Sequence, residues 1–174
     1  MTNKLILWCC LIVPWFSLFF MEREAVKRYI PVAVFTALLL SILSQHAYVA
    51  NWWTLKASIF PWDRITNSAL AYGLFFVATM WIFKLTYGRM WLYLLTNLCI
   101  DALQAFVFND WMIRAGLYEL NRLREWHLLL IMLSVAVVIY VFQVWLDSPV
   151  RPRYEVKELQ IGRLHKYFDK KAKT

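Results

Sequence analysis

Apolar residues in this chain are gathered into five blocks, at 5–21, 30–50, 68–87, 91–108 and 126–146, with polar and charged residues collected between them. Each block is about 17–21 residues long, the length that crosses a bilayer as an α-helix. The pattern predicts an all-α, polytopic membrane helix bundle over 1–147 and a basic tail over 148–174. The first block, LILWCCLIVPWFSLFFM, is short and broken by Pro14. It leaves two architectures open: five spans, or four preceded by a kinked re-entrant or interfacial segment. Only Lys4 precedes it and no small-residue cleavage site follows, which argues against a removed signal peptide.

The connections carry their own signals. A charged stretch, EREAVKR at 22–28, leads to the second block, whose Pro31 stands near the expected helix start, where a missing amide proton does little harm. Segment 51–66, NWWTLKASIFPWDRIT, mixes three tryptophans with a Phe-Pro break and the Asp63-Arg64 pair. Its apolar content predicts a segment lying in the membrane surface, with Asp63 or Asn67 placed to cap the next helix. Lys84 can snorkel from the end of the third block. The turn TYGR at 86–89, with a helix-ending Gly88, makes blocks three and four antiparallel neighbours. In 109–125, Met112, Leu117, Leu120 and Leu123 among charged residues predict a short amphipathic surface helix.

Composition sharpens this picture. Hydrophobic residues make up 61% of the 174 positions, against roughly 45–50% in soluble domains, so the bundle leaves little soluble mass outside it. Ten tryptophans are present, and Trp52, Trp53, Trp62, Trp111 and Trp126 stand at block ends, where an indole anchors in the headgroup layer. The formal charge of +8 is concentrated in the tail, which holds eight of the nineteen Lys/Arg. With five spans and the tail inside, thirteen Lys/Arg fall on the cytoplasmic side and six outside. The C-terminus is therefore expected in the cytoplasm and the N-terminus outside. The tail reads either as a basic amphipathic helix on anionic lipid or as an unstructured segment. No nucleic-acid-binding motif accompanies the charge.

The candidate chemistry centres on Asp101, near the middle of the fourth block. A carboxylate at that depth costs about 2.5–3.5 kcal/mol on insertion scales, so it must face protein or water. Asn97 and Gln104 share its helix face. Rise arithmetic puts His46, Tyr72 and Ser134 within ~10 Å of its level, making a candidate intramembrane polar cluster. Asp101 then reads either as a proton or cation site or as a hydrogen-bonded tie between helices. No HExxH, GxSxG or phosphate-binding glycine loop is present, and the three histidines have no metal-ligand spacing with Cys9, Cys10 and Cys99. The cysteines are expected as small buried hydrophobes. No catalytic residue, cofactor or metal is assigned. Asp101 and Asp110 lie nine residues apart on one helix, about 13 Å of rise and too far for a shared-proton dyad.

On FPWDRITN (60–67) and WLYLLTNLCIDA (91–102), the chain resembles a family of small multi-pass integral membrane proteins from Bacillus-like, spore-forming Gram-positive bacteria. The resemblance covers roughly 14–146. It implies a multi-span fold in a bacterial cytoplasmic membrane and assigns no residue a role. Function is expected to be non-catalytic, as an accessory or scaffold subunit of a membrane assembly, homo- or hetero-oligomeric. Two further readings are a small transporter or channel using Asp101, and a lipid-binding membrane protein.

Overall fold

A computed structural model describes residues 2–61 and 63–148, with the side chain of Thr2 left out. The Trp62 anchor and the basic tail from 149 onward lie outside the described residues. The chain divides into two compact units, Met1–Gln143 and Val144–Thr174. Within the described residues the second unit contributes the last turn of the final helix.

Five helices are long and apolar enough to cross a membrane. They are α1 (Thr2–Ser17, followed by a 3-10 turn, Leu18–Phe20), α2 (Arg23–Val49), α3 (Ala69–Thr86), α4 (Met90–Arg114) and α5 (Glu125–Asp147). Side chains such as Val34, Leu38, Ile42, Leu95, Leu98 and Val141 stand exposed on their outer faces. A patch of that extent marks contact with lipid rather than water.

The first block is a full-length helix and not a re-entrant segment. At one end Asn3 Nδ2 donates to the Ala115 carbonyl, 2.8 Å away, just past the end of α4. At the other, Ser17 Oγ accepts from Trp81 Nε1 at 3.0 Å, near the end of α3. Since α3 and α4 are joined by the short turn at Gly88 (φ +88°), those contacts lie at opposite ends of the bundle. Pro14 is accommodated inside α1. Lacking an N–H, it leaves the Cys10 carbonyl without its helical partner. α3 closes against that backbone through Gly73, where a Cβ would collide with Cys10 and Leu11. Ala69 and Gly73 thus form a small-xxx-small pair, the arrangement that lets membrane helices touch.

Helix α2 starts earlier than expected, at Arg23. The charged stretch at 22–28 mostly forms its first turns, and Pro31 falls inside the helix. Asp63 caps α3 as anticipated. Its carboxylate is buried and accepts from Ser68 N (3.1 Å) and Ser68 Oγ (3.0 Å). Lys84 reaches Glu22 at 3.3 Å while its ammonium lies over the Trp81 ring.

The two mixed connections depart from expectation. The amphipathic helix in 109–125 is absent, because α4 runs on through Arg114 and a strand follows. The 51–66 segment is not a plain surface segment either. β1 (Trp53–Leu55) pairs antiparallel with β2 (Tyr118–Leu120), with Thr54 opposite Glu119. The cause is local and occurs twice. α2 ends on Asn51 (φ +54°), with Trp52 N bonded to Ala47 O and Asn51 N to Tyr48 O. α4 ends on Gly116 (φ +68°), with Leu117 N bonded to Met112 O and Gly116 N to Ile113 O. Both are Schellman motifs, and each delivers a strand two residues later. Asn121 then pins the ribbon, donating from Nδ2 to Asn51 Oδ1 (2.8 Å) and Thr54 Oγ1 (2.7 Å).

Two apolar clusters hold the bundle. At the end away from the ribbon, Tyr29, Val32, Met80, Phe83, Tyr93 and Ile139 pack together. At the ribbon end, Leu7, Ile59, Ala69, Met112 and Leu117 do so. Cys9 and Cys99 are exposed on the outer faces rather than buried.

Candidate functional site

Six polar residues expected near one level are not gathered into one cluster. Asn97 is buried on the inward stripe of α4 and donates to the Tyr93 carbonyl one turn back (2.8 Å). Asp101 follows on that stripe. Its Oδ2 is buried and has no hydrogen-bond partner among the described residues. Gln104 comes next and lines a partly open pocket. The other three point elsewhere. His46 is exposed and meets the Trp52 ring edge-on at 5.0 Å. Tyr72 is exposed, its hydroxyl 3.0 Å from Ser41 Oγ. Ser134 is exposed and donates to the Leu130 carbonyl of its own helix. Rise along a helix sets height but not direction around the axis, and direction separates these groups.

The cavity sits under the ribbon and has a volume of about 120 Å³. Leu40, Leu43, Leu70, Phe75, Leu128 and Met132 make most of its apolar wall, and Trp53, Leu55 and Tyr118 of the ribbon contribute the roof. Trp53 is therefore only half-exposed and turned partly inward, instead of serving purely as an anchor in the lipid headgroups. Trp52 is also half-buried, whereas Trp111 and Trp126 stand exposed. Trp111 packs on Phe108 and Trp126 on His127.

Polar groups enter the cavity from three sides: Ser44 of α2, Thr66 and Asn67 at the start of α3, and Gln104 and Asn109 of α4. Asn67 Nδ2 is buried and has no hydrogen-bond partner among the described residues. Asn67 is oriented by its other atom, since Oδ1 accepts from Leu70 N at 3.4 Å. Asn109 is only 4% exposed. Its side chain interacts with Tyr118, whose phenol is pushed above its usual range chiefly by burial, with a hydrogen bond from the Asn109 amide acting in the opposite direction.

Both helices that carry these amides change pitch beside the cavity. α3 opens with a π-helical segment, Ala69–Leu74, and α4 contains another, Gln104–Phe108. Leu70, Ala71, Gln104 and Ala105 line the chamber from these segments. Such π segments are rare and frequent at functional sites. Their geometric effect is specific here. Asn97 and Asn109 are twelve residues apart, about a third of a turn out of phase in a regular α-helix. Absorbing roughly one extra residue in the π turn brings them close to three whole turns, on one face. A period of 3.6 carried along the sequence misses this, which is why Asn109 reads there as part of a connection. Asn67 reads only as a cap. No family model, curated protein or solved structure matches the chain.

Proposed function

We propose that this is an integral membrane protein that holds a lipid-soluble molecule in the cavity under its ribbon, without carrying out chemistry on it. The observation that carries this reading is a mainly apolar pocket of about 120 Å³ whose lining also includes Ser44, Thr66, Asn67, Gln104 and Asn109. Apolar walls with a few convergent polar groups are the general form of a small-molecule seat. The bundle sits in a bacterial cytoplasmic membrane with the ribbon outside and the tail in the cytoplasm. The Lys/Arg distribution and the resemblance of 60–67 and 91–102 to small membrane proteins of Bacillus-like bacteria support that placement. A bundle with so little soluble mass also suits an accessory subunit, with the held molecule part of a larger membrane assembly.

The test is to fill the chamber. Ala105 is buried and lines it, so Ala105→Phe places a ring where the ligand sits. Native mass spectrometry of the parent, extracted in mild detergent, is expected to show a retained lipophilic mass, and Ala105→Phe to lose it. The variant should be more stable by about 0.5–2 kcal/mol, as cavity filling typically gives. Identical bare masses for both proteins would refute the reading.

Proton or cation transport at Asp101 is a second reading, favoured by one observation. With Oδ2 buried and unpaired among the described residues, the acid makes no tie there between helices, and intramembrane acids without a structural partner mark ion paths. Flux in proteoliposomes, present in the parent and lost in Asp101→Asn, is the expected result under this reading; equal flux in both removes it.

A further inference from the structure

Resting on the reading of the pocket as a ligand seat, we infer that its occupant is one acyl chain of an anionic, two-chain phospholipid from the leaflet at the ribbon end, whose headgroup is held outside the pocket by Arg122 and Arg124. The way the last helix is fastened makes room for the chain. α5 is tied to its neighbours over residues 135–142. There Tyr93 donates to the Ala136 carbonyl, Tyr140 packs on Phe83 and Tyr93, and Phe142 stacks on Phe35 with ring centroids 4.0 Å apart. Neither apolar cluster takes in a residue from 125–134. In that half of the helix Leu128, Ile131 and Met132 line the pocket, while Trp126 and Leu130 stand exposed. The pocket is therefore a partly open slot, with α5 on one side and α2, α3 and α4 on the other.

The slot follows the helices into the bilayer. Its lining descends α3 from Thr66 to Phe75 and α4 from Met112 to Gln104, about 12–14 Å of rise on either helix. Lipid tails already lie in that direction, so one can enter sideways without turning. Because the slot is partly open, the second chain stays in the bilayer; an enclosed site would demand a single-chain ligand. Among the described residues no charged side chain lines the slot, so an ionised phosphate has to remain outside it. The loop that leads into α5 supplies the counter-charge. Arg122 and Arg124 are exposed, and the Arg124 carbonyl accepts from the amide of Leu128, a wall residue one turn on. The acids of the ribbon end are engaged elsewhere. Glu119 pairs with Lys56, Asp110 with Arg114 and Asp63 with Ser68, while Glu125 acts on the Tyr118 phenol. Two unpaired guanidinium groups at the mouth of an apolar slot match a phosphate above a hydrocarbon chain. A zwitterionic headgroup brings its own cation and gains less from them.

The test uses the full chain, stripped of co-purified lipid in detergent and titrated with dioleoyl phosphatidylglycerol and, separately, dioleoyl phosphatidylcholine, with native mass spectrometry as the readout. The parent should bind the phosphatidylglycerol roughly twentyfold more tightly, about fivefold for each arginine at the usual weight of a cation near anionic lipid. The double variant Arg122→Gln/Arg124→Gln should lose that preference while its phosphatidylcholine binding stays as it was. Both side chains are exposed and unpaired among the described residues, so lost preference is not lost structure. Ile131→Trp, which fills the slot from α5, should weaken both lipids together. Arg89→Gln, an exposed arginine at the opposite end of the bundle, should alter neither. Equal binding of the two lipids by the parent overturns the assignment, as does a preference that survives in the double-arginine variant. Those results leave the ligand-seat reading standing as long as Ala105→Phe still weakens binding. That reading falls separately, if Ala105→Phe and Ile131→Trp both bind lipid as the parent does.

Discussion

Asp101 and Tyr93 show how differently two polar residues of one helix stripe can behave. Tyr93 is buried and its hydroxyl donates to the Ala136 carbonyl at 3.0 Å, linking α4 to α5. Asp101, two turns along, has an oxygen that is buried but unmatched among the described residues. Tyr93→Phe should therefore lower stability by about 0.5–1.5 kcal/mol, the usual net worth of such a bond. Asp101→Leu should leave the thermal midpoint unchanged or raise it, because no described partner is orphaned by the change. Thermal melts of the two variants beside the parent in one detergent decide this; a lower midpoint for Asp101→Leu would make the acid structural. From the sequence, Asp101 is visible as an expensive residue that needs a reason. Which of its neighbours answer it depends on helix rotation and packing, neither of which is written in the spacing of one helix.

At the scale of elements, all five spans were legible within a few residues at one end at least, because an apolar run of bilayer length has few alternative uses. α3 and α5 agree closely at both ends. α2 and α4 are longer than their apolar blocks, since helical hydrogen bonding continues into charged residues such as Glu24 and Asp110, the latter paired with Arg114 at 2.9 Å. The ribbon was not legible. Its strands are three residues each, too short to show a period of two, and they pair only because two distant Schellman turns aim them together. The α1–α3 contact is the element on which packing depends most closely. Gly73→Leu would drive a side chain into the backbone of Cys10 and Leu11. A loss of about 1–3 kcal/mol is expected, the usual cost of overpacking. Gly88→Leu meets open space and is strained only by its positive φ, so it should cost less. Thermal melts of the two variants give the order, and an equal loss would mean the close approach at Gly73 contributes nothing.

For the whole molecule, the ends of the bundle are chemically distinct. The ribbon end collects Trp52, Trp53, Trp111 and Trp126 with the Asn51, Thr54 and Asn121 network. The opposite end has stacked tyrosines at 29, 87, 93 and 140, with the Arg28 guanidinium over the Tyr87 ring at 4.8 Å. The proposed topology puts the ribbon end outside, following the positive-inside bias. With Cys9, Cys10 and Cys99 replaced by alanine, a cysteine at the exposed Asn121 should react with a membrane-impermeant maleimide on intact cells, and one at Lys173 only after lysis. The reverse pattern would invert the topology and move the mouth of the proposed site to the cytoplasm.

The sequence by itself determined that this chain is a membrane bundle, that four or five helices could span, and which of them neighbour across a tight turn. Those properties depend on local composition: the free energy of placing some twenty apolar residues in lipid is nearly a sum over residues. Tertiary structure alone decided that α1 is a full member of the bundle, through contacts at both of its ends. It also decided that 51–66 and 109–125 pair as a ribbon, and that Asn67 and Asn109 line one pocket. These are relations between segments far apart in the chain, set by close approach at Gly73 and by the change of pitch in two π segments. A summed, local signal carries no record of them, because each depends on where another segment stands.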